Sequence, residues 1–280
     1  KPLSLALESL KIKTIALQER PITSWWNNCG VIVDTYLFGG KLFQEMGSKN
    51  ECINFNHSFN FGMWRLSFFN DKNLIKLENT YFLSSSKLTP LDFKNKILFL
   101  GLFIESNDNL PDLNKESFND FINYVIAVAT KFSDSSVIIR MKSLEERDID
   151  YIFKRIKQYK NIFLSNDYKN PKVSYRLCKE ADVIISTTTS LAEECIAYGK
   201  KVIYINDLYP TNDMAREMYL KDFHFCIPKD INGGLNLLKK CLDNNELIEK
   251  EYLELKLKLS GKIDLSDPQN IPHYLEKFLQ

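Results

Sequence analysis

Histidine is scarce in this chain: His57, His224 and His273 are the only three in 280 residues, which disfavours a histidine-built metal centre. The six cysteines (Cys29, Cys52, Cys178, Cys195, Cys226, Cys241) include no CxxC pair. They fit neither a zinc ribbon nor a disulfide frame, and read as reduced thiols of a cytoplasmic protein. An excess of one charge is lacking too. Lysine and arginine number 37 against 36 acids, a net charge of +1, so bulk electrostatics gives no reason to expect nucleic acid as a partner. No apolar run approaches the length that crosses a bilayer, and there is no internal repeat or low-complexity tract. What is present, 44% hydrophobic and 26% charged residues, is ordinary for a globular chain of two domains.

The most informative stretch is residues 182–205. Val183 to Ile185 form a short apolar run of the kind buried on both faces of a parallel sheet. Four hydroxyl residues follow, Thr187, Thr188, Thr189 and Ser190. Leu191, Cys195 and Ile196 then recur at helical spacing, Gly199 stops the helix, and Val202 to Ile205 begin another buried strand. The turn falls at the carboxyl end of a parallel strand, where open α/β sheets bind ligands. A helix amino terminus carries unpaired N–H groups and partial positive charge, so a phosphate fits there with the hydroxyls as added donors. Glu193 or Glu194 facing the crevice would suit a ribose diol. The plainer alternative is that Thr189 or Ser190 only caps the helix and both glutamates are solvated.

The run Ser-Thr-Thr-Thr-Ser-Leu-Ala-Glu-Glu-Cys-Ile-Ala-Tyr-Gly-Lys-Lys-Val-Ile resembles the nucleotide-binding segment of GT-B glycosyltransferases. It is similar in pattern to bacterial surface-carbohydrate biosynthesis proteins, including the retaining β-Kdo transferases of capsule and O-antigen assembly. The resemblance spans roughly residues 10–46 and 96–206. It implies an α/β fold of two Rossmann-like domains with parallel sheets. In such proteins a Ser/Thr-rich turn holds the donor's phosphate and a helix glutamate helps hold the ribose.

Elsewhere the residues leave alternatives open. Gln18-Glu19-Arg20 ends the expected strand Thr14–Leu17 before Pro21, and a charged pair there is costly to bury unless paired or used. It either caps the sheet as an ion pair or serves chemistry, and the resemblance makes Glu19, with Arg20 beside it, an acid/base candidate at the cleft. Trp25 and Trp26 would stack on an acceptor sugar, dock on a membrane surface or cover the cleft. A strand Ile97–Phe103 delivers Glu105 and Asp108 into its turn, as nucleophile, as stabiliser of an oxocarbenium-like state or as a helix cap. Resemblance to the retaining transferases favours one of the two for chemistry. After the strand Val137–Ile139, Arg140 and Lys142 stand where related transferases carry a His-Pro element, and would reach the phosphate in its place.

Residues 47–95 show no clean period and many aromatics, as expected of irregular connecting structure. A junction near Thr89–Lys96 divides the chain into an acceptor-side domain at 1–95, a nucleotide-sugar domain at 96–264 and a C-terminal helix at 265–280 that crosses back. The chain opens Lys-Pro and its first part is short for a whole domain, so the acceptor-side domain is expected to be incomplete. The function expected is transfer of a sugar from a nucleotide-activated donor, such as CMP-Kdo, to a surface polysaccharide or lipopolysaccharide glycan. No metal or cofactor is needed, because helix termini and basic residues can neutralise the leaving phosphate. Partners would be the nucleotide sugar and a glycan or lipid-linked glycan, in the cytoplasm or peripherally at the inner membrane, alone or in a synthase complex. The rivals are a polyol-phosphate transferase of teichoic-acid type, a non-hydrolysing epimerase and a non-catalytic glycan-binding relative.

Overall fold

Short β-branched runs and longer amphipathic segments alternate along the chain, and they fold as parallel strands and covering helices. A computed structural model describes residues 6–7, 9–18, 31–74, 76–101, 115–141, 146–167, 170–187, 189–205, 225–265, 267 and 269–279. The first sheet is three parallel strands in the order β1 (Ile15–Leu17), β2 (Val31–Phe38), β3 (Ile53–Asn60), with α1 (Lys41–Gly47) between the last two. The second sheet holds β4 (Phe82–Leu83), β5 (Asn95–Gly101), β6 (Ser135–Met141), β7 (Ile162–Ser165), β8 (Val183–Ser186) and β9 (Lys201–Tyr204). Its order is β4-β7-β6-β5-β8-β9, parallel except for the edge strand β4. From β5 the chain steps outward through β6 and β7, then returns to β8 on the other side of β5. Strand order therefore reverses at β5, the kind of place where open α/β sheets leave a crevice.

The connecting helices are α2 (Lys115–Lys131), α3 (Glu146–Ile156), α4 (Pro171–Glu180) and α5 (Ser190–Tyr198). Among the described residues three more follow β9: α6 (Ile231–Leu242), α7 (Glu246–Leu259) and α8 (Asn270–Leu279). Their ends follow local rules. Asn170 caps α4 by accepting the Lys172 N–H, with Pro171 at the first helical position. Gly199 ends α5 in the left-handed region at φ 101°, which a side chain would resist. Strands β6, β7 and β8 are buried along their whole length, which explains the apolar runs at their centres.

Two findings differ from the sequence reading. Residues 47–95 contain β3, whose Ile-Asn-Phe-Asn-His-Ser-Phe-Asn is a clean two-residue alternation. Asparagine on the alternate positions is a poor strand former and hid the period. Residues 225–227, the end of a run Phe223–Ile227 that reads in sequence as a late short strand, form a tight turn instead.

The two layers meet through closely packed backbone. Beyond β3, the 3₁₀ segment Trp64–Asn70 lies on α4 and α5: Phe69 stacks on Tyr198 at 4.3 Å, and Lys179 Nζ donates to the Phe69 carbonyl at 2.9 Å. On the return path, a Cβ on Gly40 would lie 2.5 Å from the Leu259 carbonyl oxygen, and one on Gly261 2.2 Å from the Gly62 Cα. Helix α8 then packs Phe278 against Phe59 and Phe61 at ring distances of 5.0 and 6.0 Å, on the first sheet.

Candidate functional site

A row of side chains crosses the carboxyl edge of the second sheet. Register pairs Arg140 with Leu100, Leu100 with Ser186, and Ser186 with Tyr204. Ser165 extends the row on β7, one residue past Leu164, which pairs with Ile139. All five are buried, although four of them are polar or aromatic hydroxyl residues. Such groups are tolerated only when hydrogen-bonded, and here their bonds shape the turns above them.

Ser186 Oγ donates to the Thr187 carbonyl at 2.6 Å, while the Thr187 N–H and Oγ1 reach the Leu100 carbonyl at 3.2 and 3.5 Å. The hydroxyl turn is thus tied to the central strand β5. Thr189, in extended conformation, accepts the Leu191 N–H at 3.4 Å, and its carbonyl takes the Ala192 N–H at 2.9 Å. Of the two cap candidates, Thr189 and Ser190, it is Thr189 that caps the helix. Thr187 is buried beneath it, and Thr189 and Ser190 are half-buried at the start of α5.

Glu193 and Glu194 are not solvated and do not present a carboxylate to a crevice; they are 1% and 3% exposed. Tyr204 donates its hydroxyl to Glu193 Oε1 at 3.1 Å, and Tyr175 donates to Glu194 Oε2 at 2.7 Å. Arg65 Nη1, just past the carboxyl end of β3, lies 3.7 Å from Glu194 Oε1. The physical reason is that α5 is covered on two sides. Successive residues point about 100° apart on a helix, so one glutamate meets β9 and the other meets α4 with the 3₁₀ segment. Burial, and then the Glu194 charge, push the Tyr175 hydroxyl well above its ordinary range, which keeps it a donor.

Arg140 is also committed inside the chain. Its Nε donates to Ser174 Oγ at 3.0 Å, Nη1 to Ser165 Oγ at 3.3 Å and to the Asp167 carbonyl at 2.5 Å, and Nη2 to the Asn170 carbonyl at 3.0 Å. Burial lowers its pKa to about 10, with Asp167 opposing. The guanidinium stays charged at neutral pH and is used as a clamp on backbone. Glu19, Arg20, Glu105, Asp108, Lys142 and Thr188 lie outside the described residues, as do Trp25 and Trp26. Their neighbours in sequence do not: Gln18 directly follows β1 and accepts the Gly39 N–H at 2.8 Å, and Gly101 ends β5. The site members missed from sequence are Arg65, Tyr175 and Tyr204. Tyr175 had a signal, since it shares the buried face of α4 with Cys178 at helical spacing.

An open groove of about 510 Å³ lies elsewhere, between α6 and α7, lined by Phe225, Pro228, Leu237, Lys240, Leu247 and Glu251. None of its lining residues belongs to the carboxyl-edge row.

The sequence matches no protein-family model and no curated protein. Solved structures do match. A Listeria monocytogenes protein assigned as a UDP-N-acetylglucosamine 2-epimerase superposes with a TM-score of 0.64 over 98% of this chain and 70% of its own, at 13% identity. The UDP-GlcNAc 2-epimerase of Neisseria meningitidis, solved with UDP-GlcNAc bound, gives 0.62 over 98% and 72%, at 14% identity. The wall teichoic acid polymerase TagF gives 0.55 over 95% and 68%, at 13% identity. The fold is GT-B-like. At these identities the likeness shows the fold alone. Both Rossmann-like layers of this fold are present, with parallel sheets and the order reversal at β5.

Proposed function

We propose that this GT-B-like chain is an enzyme that transfers a sugar from a nucleotide-activated donor, holding the donor's phosphates at Thr187–Ser190. The observation that carries the reading is the position of that turn. It leaves β8 beside β5, where strand order reverses, and is bonded to the β5 carbonyl of Leu100 before entering α5. The amino terminus of α5 offers positive dipole to a phosphate, and Ser190 offers a hydroxyl. Glu193 and Glu194 serve from beneath, as fixed partners of Tyr204 and Tyr175.

Supporting the nucleotide-sugar class are the neighbours, among them an epimerase solved with UDP-GlcNAc and a teichoic acid polymerase. The acceptor is read as a bacterial surface glycan or a lipid-linked glycan. In this reading Glu19, with Arg20, acts as acid/base just beyond β1; Glu105 or Asp108 acts just beyond β5; and Lys142 meets the phosphate just beyond β6. A CMP-Kdo donor rests on sequence resemblance alone, whereas a UDP-linked donor has the support of the neighbours. Epimerisation of the same donor class is the second reading, because two of the three neighbours above are assigned to it.

The test is binding followed by product analysis. UDP, CMP and CDP-glycerol are titrated calorimetrically against wild type and Ser190→Ala, and the preferred nucleotide's sugar is then incubated with a glycan acceptor. Tight binding of one nucleotide, weakened several-fold by Ser190→Ala, with sugar appearing on the acceptor, is the expected result. Binding with only a C2 epimer formed selects the second reading. Binding that Ser190→Ala leaves unchanged removes the phosphate turn.

A further inference from the structure

Arg140 is the one charged member of the carboxyl-edge row. It is 3% exposed, and its hydrogen-bond acceptors are two hydroxyls and two backbone carbonyls, with no carboxylate among them. A cation held this way is desolvated with its bonds going to neutral oxygens and only the nearby Asp167 charge opposing, so the arrangement is costly unless the fork itself is used. The fork spans β6, the exit of β7 at Ser165 and Asp167, and the start of α4 at Asn170 and Ser174. Asn170 in turn caps α4 through the Lys172 N–H. One guanidinium therefore sets how the β7 exit and the α4 entry stand against the sheet edge. On the far side of β5, Ser186 does the same for the hydroxyl turn by donating to the Thr187 carbonyl.

We propose that Arg140 is a positioning residue for the nucleotide: it fixes the Asp167 and Asn170 backbone as one wall of the crevice and touches no ligand itself. This rests on the donor-binding reading above. Lysine does not replace it, because a single ammonium on a flexible stem cannot span acceptors on both the β7 exit and the start of α4. The same planar geometry makes the role testable by chemical rescue.

The experiment measures UDP and CMP affinity by calorimetry for wild type, Arg140→Ala and Arg140→Lys, with and without ethylguanidinium at tens of millimolar. Melting temperatures are recorded for each. Wild type is expected to bind one nucleotide, both variants to bind it about tenfold or more weakly, the loss of a few hydrogen bonds' worth of order. Ethylguanidinium is expected to restore most of the affinity of Arg140→Ala. If Arg140→Ala does not fold, Arg140→Lys decides: weakened binding at a near-wild-type melting temperature supports the role. Wild-type affinity in either variant overturns it, since charge alone or nothing at all would then suffice. Loss without rescue, or failure of both variants to fold, also overturns it and leaves Arg140 a folding residue. Wild type binding neither nucleotide would sink the donor-binding reading, and this inference with it.

Discussion

Asp34 shows how a surface charge joins strands of the small sheet. Its carboxylate accepts the Thr14 N–H at 2.8 Å and hydroxyl at 3.0 Å, and the Asn56 amide at 3.2 Å. These bonds, the Thr14 backbone bond first, hold its pKa below the ordinary aspartate value of 3.8. The sign follows from linkage: a depressed folded pKa means the contribution is complete above 3.8 and disappears as pH falls through the lower folded value. Urea midpoints of wild type and Asp34→Asn should therefore differ at pH 6 and converge in acid. A gap that persists unchanged well below the aspartate range would show that the charge is not what ties the strands. Charged residues elsewhere in the chain follow the same logic with less water. Arg140, Glu193 and Glu194 were readable as polar groups near a carboxyl edge, but not as buried ones. Their partners Ser174, Tyr204 and Tyr175 come from other elements, and only packing brings them together.

Between elements, α2 and α6 meet closely in the second layer. The Tyr124 hydroxyl lies against Gly234, where a Cβ would be 2.0 Å away, and it has no hydrogen-bond partner among the described residues. A buried hydroxyl without a partner costs stability. Tyr124→Phe is expected to raise the unfolding free energy by roughly 1 kcal/mol, read from denaturant midpoints; a loss of similar size would reveal a partner for the hydroxyl. Gly234→Ala, by contrast, should destabilise by forcing the two helices apart. Elements of this layer were largely legible in sequence. β-branched runs such as Val137–Ile139 and Val183–Ile185 read correctly, because strands buried on both faces have no polar alternation to misread. The polar first turn of α2, from Lys115, hides its start, because its first strongly apolar position is Phe118. The β3 period is hidden because three of its four alternate polar positions are asparagines. The turn of residues 187–190 was legible as a turn, but whether it caps or binds depended on geometry. The structure gives Thr189 the cap and leaves Ser190 at the start of the helix.

Across the whole molecule, two sheets are joined by backbone contacts that leave no room for side chains. Gly261 is the tightest, since a Cβ there would meet the Phe61 carbonyl oxygen and the Gly62 Cα at 2.2 Å each. Gly261→Ala is expected to cost about 3 kcal/mol and to loosen α8 from the first sheet, measurable as faster amide exchange in residues 270–279. Protection unchanged in that helix would mean the layers are held by other contacts. The same junction brings Arg65, from the end of β3, to Glu194 inside α5, so the carboxyl ends of both sheets converge on one helix. Among the described residues no helix is long and apolar enough to cross a membrane. The most direct test of the account is amide exchange on wild type with and without saturating UDP-linked sugar. The crevice reading predicts slowed exchange in peptides covering Ser186–Ala192 and Ser165–Lys172, with the groove between α6 and α7 unaffected. Protection confined to that groove, or no protection at either carboxyl-edge segment, would contradict it.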